Sequence, residues 1–244
     1  MSQHSISEHS RLLRKFDTCR TAFLLCDVQE KVAPHIRNFH DAVHAANALA
    51  AVYTLLGPAH CVFVVSEQYP KGLGHTHRDI QLPAGAVVVE KLTMSMLVPA
   101  ICPHIFGDAA RGIPPVQQVI IWGHETYACI LQTTDELLAR GIRVAVLVDS
   151  SGAQVPAHHD MAVMQMSHWS GAMMTTLPSA LMQLTRSDAR FVKDIIRILK
   201  KYAVDWASTQ PKPKKPEAGE ERPQEEANAA AVAETESAWT GMDS

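Results

Sequence analysis

VIIWGHETYACILQTTDELLARGIRVAVLVDS, residues 119–150, is the stretch on which the fold turns. It opens on an apolar run, VIIWG (119–123), and closes on another, VAVLVDS (144–150). Both carry Val, Ile or Leu on both parities, as strands buried on both faces of a parallel sheet do. Between them, apolar residues at 130, 131, 137 and 138 mark one face of a helix, and Gly141 is suited to end it. Strand, crossover helix and parallel strand are the outcome. The same alternation extends outward through FLLCDV (23–28), CVFVVS (61–66), AVVVEK (86–91) and AMMTTL (172–177), with helical stretches over 41–56, 126–140, 156–170 and 178–202. The pattern predicts an α/β protein: a single doubly wound (Rossmann-like) domain with a six-stranded parallel sheet flanked by helices.

A chain of 244 residues, 47% apolar and 19% charged, is long enough for such a domain and too apolar to be wholly disordered. No apolar run approaches the roughly 20 residues of a membrane helix, so no membrane partner is expected. The five cysteines are odd in number and unpaired in spacing, which fits a reducing compartment. Cytoplasm is the expected location. Arg11, Arg14, Lys15 and Arg20 raise mitochondrial import as the alternative, and Glu8 and Asp17 count against it. Residues 1–19 are expected to form an N-terminal arm, 20–204 the folded domain, and 205–244 a charged, disordered tail.

The net charge of −3 divides unevenly. Residues 211–244 hold eight acids and four bases; removing these from the totals of 25 and 22 leaves residues 1–210 with 17 acids and 18 bases. A body that is close to neutral offers no footprint for phosphates, and nucleic acid is not an expected partner.

Ligands of open parallel sheets bind outside the carboxyl ends of the strands. Asp27, Glu67, Lys91, Cys129 and Asp149 all fall at such ends. Neither a Gly-rich dinucleotide fingerprint nor a phosphate loop is present, so no cofactor is expected. Cys129 lies where a helix begins, with Thr126 placed to cap it. Free backbone N–H groups and the positive helix end there favour a thiolate and a developing oxyanion. Asp27 and Lys91 each emerge from an apolar strand, where a charge needs a partner or a task. Cys26 and Cys61 fit small buried hydrophobes, and Cys19 and Cys102 show nothing more.

These residues sit in FLLCDVQEKV, VVSEQYPKGLGHT (64–76), VVVEKLTMSM and WGHETYACILQTTDELLARGIRVAVLVDSSGA (122–153). Through these segments, residues 20–200 resemble the isochorismatase-like cysteine hydrolases, in particular the isochorismatase domain-containing branch. The resemblance implies a catalytic triad of Asp27, Lys91 and Cys129. It further implies a non-proline cis peptide between His124 and Glu125, and an oxyanion hole from the amides of Ala128 and Cys129. Within the matched segments Gln29, Glu67 and Tyr69 are the candidate substrate contacts. The implied activity is hydrolysis of a C–N bond of a small molecule through a thioester, in a homo-oligomer. Zinc-binding members carry an Asp and two His after the second strand; here Glu67 and Gln68 stand in that region, so no metal is expected. His75 and His77 are expected to be solvated.

Met94 replaces a phenylalanine of some members, Pro178 a glutamate and His124 an aliphatic residue. A thiolate near Asp27 and Lys91 feels opposed contacts of roughly 4 kcal/mol each at about 4 Å and a dielectric near 20. The helix end then tips the balance by about 0.3–1 kcal/mol. A catalytically idle scaffold is the alternative reading, and an RNA-acting protein is the reading that the neutral body disfavours.

Overall fold

Strand β1, Thr21–Cys26, is buried at all of its positions and forms the middle of the sheet. The computed structural model describes residues 11–202. Around β1 lie β2 (Cys61–Gln68), β3 (Val87–Lys91), β4 (Gln118–His124), β5 (Arg143–Gly152) and β6 (Ala172–Thr175). They form one six-stranded sheet in the order β3-β2-β1-β4-β5-β6, with every neighbouring pair parallel. The doubly wound topology expected from the sequence is the one observed. β1 ends before the expected Val28 because Asp27 takes a left-handed conformation, φ 51°, and turns the chain out of the sheet.

Helix α1 (Phe39–Leu56) packs an Ala-rich face on the sheet, and the buried Trp122 indole donates to the Ala42 carbonyl at 3.2 Å. The connections around β3 depart from the expected crossover helices. Between β2 and β3 there is a single turn, α2 (Pro70–Leu73), and before β4 another, α3 (Cys102–Phe106). Pro70, Gly72, Gly74, Pro83 and Gly85 deny the first connection a longer helix. α4 (Leu131–Ala139) and α5 (Pro156–Ser167) follow β4 and β5. The stretch 178–202 is two helices, α6 (Leu177–Thr185) and α7 (Val192–Tyr202), because Arg186 and Ser187 adopt φ values of 50° and 53°.

One face of the sheet buries Phe23, Leu25, Phe63 and Trp122 against α1 and α6; the other buries Leu24, Val64, Ile121 and Val146 with Ile130 and Met166. Each such side chain contributes roughly 1.5–3 kcal/mol relative to exposure. Within the stretch expected as an N-terminal arm, Leu13 and Phe16 are buried in the core, and the Phe16 amide donates to the Leu184 carbonyl at 3.0 Å. The tail expected over 205–244 lies outside the described residues. Among those described, no helix is long and apolar enough to cross a membrane.

Candidate active site

The direction of winding reverses between β1 and β4, and the crevice this leaves at their carboxyl ends is where such sheets bind ligands. Gly123 lets the two strands close there. Its φ is 118°, and a Cβ on it would stand 2.1 Å from the Cys26 carbonyl oxygen. Asp27 leaves β1 into this crevice, and Cys129 lies six residues beyond Gly123.

Lys91, at the end of β3, reaches both. Its ammonium donates to Asp27 Oδ2 at 2.8 Å and lies 3.5 Å from Cys129 Sγ. Gln68 Oε1 accepts from it at 2.6 Å, and the Thr93 and Met94 carbonyls at 3.1 and 3.0 Å. Burial opposes the charge on Lys91, but Cys26, Asp27 and Cys129 outweigh it and hold the ammonium above its ordinary pKa. Ser66 donates its hydroxyl to Asp27 Oδ1 at 2.7 Å. Asp27, Lys91 and Cys129 are 4%, 3% and 6% exposed, so water competes little with these contacts.

Cys129 sits in a wide helical turn, Thr126–Ile130, that leads into α4. Thr126 does not cap it. Its buried hydroxyl donates to the Gly152 carbonyl at 3.0 Å and pairs with His159, because the turn is wedged against the end of β5. The Ala128 amide donates to the Glu125 carbonyl at 3.2 Å, so an oxyanion at Ala128 and Cys129 would share that donor. The His124–Glu125 peptide is cis. Thr133, which sequence reasoning missed, donates to the Cys129 carbonyl at 2.6 Å and accepts from the Met96 amide, tying the turn to the loop after β3.

A cavity of about 480 Å³ opens over the sulfur, lined by Asp27, Gln68, Met94, His124, Tyr127 and Cys129 among others. Met94 Sδ is 3.9 Å from Cys129 Sγ. His124 is 1% exposed, stacks on Phe39 at 5.2 Å, and among the described residues has no hydrogen-bond partner for either ring nitrogen. Burial, with His159 adding, pushes its pKa down to about 3.

The three expected substrate contacts lie elsewhere. The Gln29 amide is spent on the Gln68 backbone and the Gly74 carbonyl. Glu67 accepts from the Thr76 amide and hydroxyl at 2.7 Å and pairs with His75 at 2.9 Å. Burial opposes this carboxylate, yet those contacts lower its pKa. Tyr69 is 51% exposed and does not line the cavity. Strand alternation explains the shift: Ser66 and Gln68 face the triad, and Glu67 between them faces away. His75 is solvated as expected; His77 is not, being buried against the Phe39 ring.

Cys26, Asp27 and Cys129 bring three metal-type donor atoms within 4.8 Å of one another. The Lys91 ammonium already holds the ground between the carboxylate and the Cys129 sulfur, so a divalent cation would have to displace a buried charge with four acceptors.

Architecture and site define a class: doubly wound α/β proteins that gather an acid, an amine and a thiol at one edge of the sheet. Residues 21–178 match the isochorismatase domain, and the chain belongs to that family of isochorismatase-like hydrolases. It is 35% identical over 186 residues to isochorismatase domain-containing protein 1 of Salmo salar, covering 75% of this chain and 62% of that protein. The corresponding cover of the Danio rerio protein is 61%, so the chain spans less than two thirds of these two relatives. Isochorismatase domain-containing protein 2A of Mus musculus is 36% identical over 183 residues, 74% of this chain and 83% of its own. A solved structure of a hypothetical protein from Trypanosoma cruzi has 41% identity and a TM-score of 0.75, over 80% of this chain and 99% of that one. The MAR1 ribonuclease of Caenorhabditis elegans has 30% identity and a TM-score of 0.68, over 84% and 100%. At 18% identity, YcaC of Escherichia coli, described as an octameric hydrolase of unknown specificity, shares the fold with a TM-score of 0.64, over 83% and 96%.

Proposed function

We propose that the protein hydrolyses a C–N bond of a small amide-type substrate with Cys129 as nucleophile. One observation carries this reading: a single buried ammonium lies 2.8 Å from a carboxylate and 3.5 Å from a thiol on the floor of an open cavity. Cys129 Sγ attacks the carbonyl carbon, and Asp27 takes the thiol proton and passes it to the departing amine. Water then adds to the thioester, Asp27 accepts its proton, and the acid leaves as the thiol is restored. Lys91 holds both partners in register. The turn that carries Cys129 supplies amides for the oxyanion, with Ala128 shared as described.

Turnover on a panel of small amides, ureides and lactams tests this. Cys129→Ala and Asp27→Asn should each lose activity by at least about a hundredfold, on the scale of general acid–base and nucleophilic contributions. Full activity in both variants refutes the scheme. The proposed substrate is a small molecule held without a cofactor, and the proposed location is the cytoplasm; import of a fluorescent fusion into mitochondria would overturn the latter.

We also propose a homo-oligomer. Tyr127, Met161 and Met164 are 45%, 60% and 50% exposed beside one another around a surface groove on α5, an apolar face that a second copy would cover. The octamer described for the fold neighbour YcaC is consistent with such assembly. Light scattering should give a mass above the 26.7 kDa of one chain, and Met161→Glu should lower it.

A further inference from the structure

Cys26 has no part in the proposed hydrolysis, yet its sulfur lies within 4.8 Å of Cys129 Sγ and 3.6 Å from Asp27 Oδ2. Cys26 ends β1 directly opposite Gly123 of β4, and Cys129 lies in the helical turn, Thr126–Ile130, that follows β4. A disulfide needs its sulfurs at about 2.05 Å, and both side chains here already converge on one carboxylate. Their surroundings differ. Cys129 is at the cavity floor, 3.5 Å from the Lys91 ammonium, where a small oxidant has access. Cys26 is fully buried, and burial, together with Cys129 and Asp27, raises its thiol well above its ordinary pKa. Left to itself it is inert.

We propose that Cys129 and Cys26 form an oxidation site for hydroperoxides, with Cys129 the sulfur attacked first and Cys26 the thiol that resolves it. The Cys129 thiolate attacks the peroxide O–O bond, taking one oxygen to become a sulfenic acid and releasing an alkoxide or hydroxide that picks up a proton. Cys26 then attacks the sulfenic sulfur, its proton passing to Asp27 and on to the departing hydroxyl as water. The sulfurs are each oxidised by one electron overall, the peroxide is reduced by two, and a disulfide joins the end of β1 to the turn after β4. The bond removes the nucleophile while shielding it from irreversible sulfinic acid, and a dithiol reverses it. This shares with the hydrolase reading only the need for a reactive Cys129.

The experiment uses the full chain and hydrogen peroxide. Iodoacetamide labelling of the reduced protein comes first and tests Cys129 reactivity by itself: selective labelling keeps the hydrolase reading, and no labelling sinks both. After peroxide, peptide mass spectrometry should find Cys26 joined to Cys129, with Cys19, Cys61 and Cys102 still free. Cys129 labelling should fall at least about tenfold and return with dithiothreitol. In Cys26→Ala, and in Cys26→Val as the variant that better fills the core, dimedone should trap the sulfenic acid. Prolonged peroxide should then give a loss that dithiothreitol does not reverse. Selective Cys129 labelling without a linked peptide, or equal recovery in wild type and both variants, overturns the oxidation site and leaves the hydrolase reading standing.

Discussion

Asp27 and Asp149 stand at the same edge of the same sheet, one buried and one half-buried, and their partners set them apart. Asp27 takes an ammonium at 2.8 Å and a hydroxyl at 2.7 Å, and faces a cavity. Asp149 turns both oxygens to the Leu177 amide, at 3.1 and 3.0 Å, and one to the Ser150 hydroxyl, fixing the start of α6. Burial raises the Asp149 pKa and these hydrogen bonds only partly offset it. The same residue type, just past the end of β1 and three residues before the end of β5, thus serves a charge network in one place and a helix cap in the other. What separates them is the position of the topological switch, which lies at β1 and not at β5.

Cutting the network should show the difference most strongly. Lys91→Met leaves Asp27 as a buried, unpaired carboxylate and should cost roughly 3–5 kcal/mol in denaturant unfolding. The corresponding cut at the other end, Asp149→Ala, removes a cap worth only about 0.5–2 kcal/mol. If the two variants unfolded alike, the contrast between network and cap would fail. Adding Asp27→Asn to Lys91→Met should recover part of the loss, because the stranded charge is gone.

Gly123→Ala probes the close approach of β1 and β4 on which the network depends. The added Cβ meets the Cys26 carbonyl oxygen at 2.1 Å, a backbone atom that cannot swing aside. A loss of roughly 1–3 kcal/mol should follow, with slower alkylation of Cys129 as Asp27 and the sulfur move apart. Unchanged stability and labelling would mean that the switch point tolerates a wider gap than the site geometry implies.

Much of this was legible in the residues. The inner strands show as apolar runs because they are buried on both faces, and Asp27, Lys91 and Cys129 stand out as polar groups at the ends of such runs. Gln29, Glu67 and Tyr69 lie off the cavity for a physical reason. A polar side chain just past a strand serves a loop or a cavity according to which face it takes, and a shift of one residue reverses the face. Ser66 was the available signal, a hydroxyl within CVFVVS that sits two residues from Gln68 and on the same face. The missing crossover helix between β2 and β3 followed from its Pro and Gly content. Cys26 was assigned a packing role, because its closeness to Cys129 depends on how β1 and the turn after β4 come together, which no local pattern in the residues carries.

The last contrast within the site is between an ion pair that stays charged and an imidazole that stays neutral. His124 is held neutral by burial, with its pKa pushed down to about 3, against an unfolded value near 6.5. Below pH 6.5 the unfolded chain binds a proton there that the folded chain refuses, so stability present above that pH is lost as pH falls toward about 3. The slope is at most roughly 1.4 kcal/mol per pH unit. His124→Leu fills similar space, removes two unpaired nitrogens, and should change stability at pH 7 by about 1 kcal/mol or less. Its acid limb should be shallower than that of the wild type. Parallel limbs in the two proteins would show that the imidazole finds a proton partner after all, with His159 the neighbour to examine, and the cavity wall would then be polar where its unpaired nitrogens make it neutral.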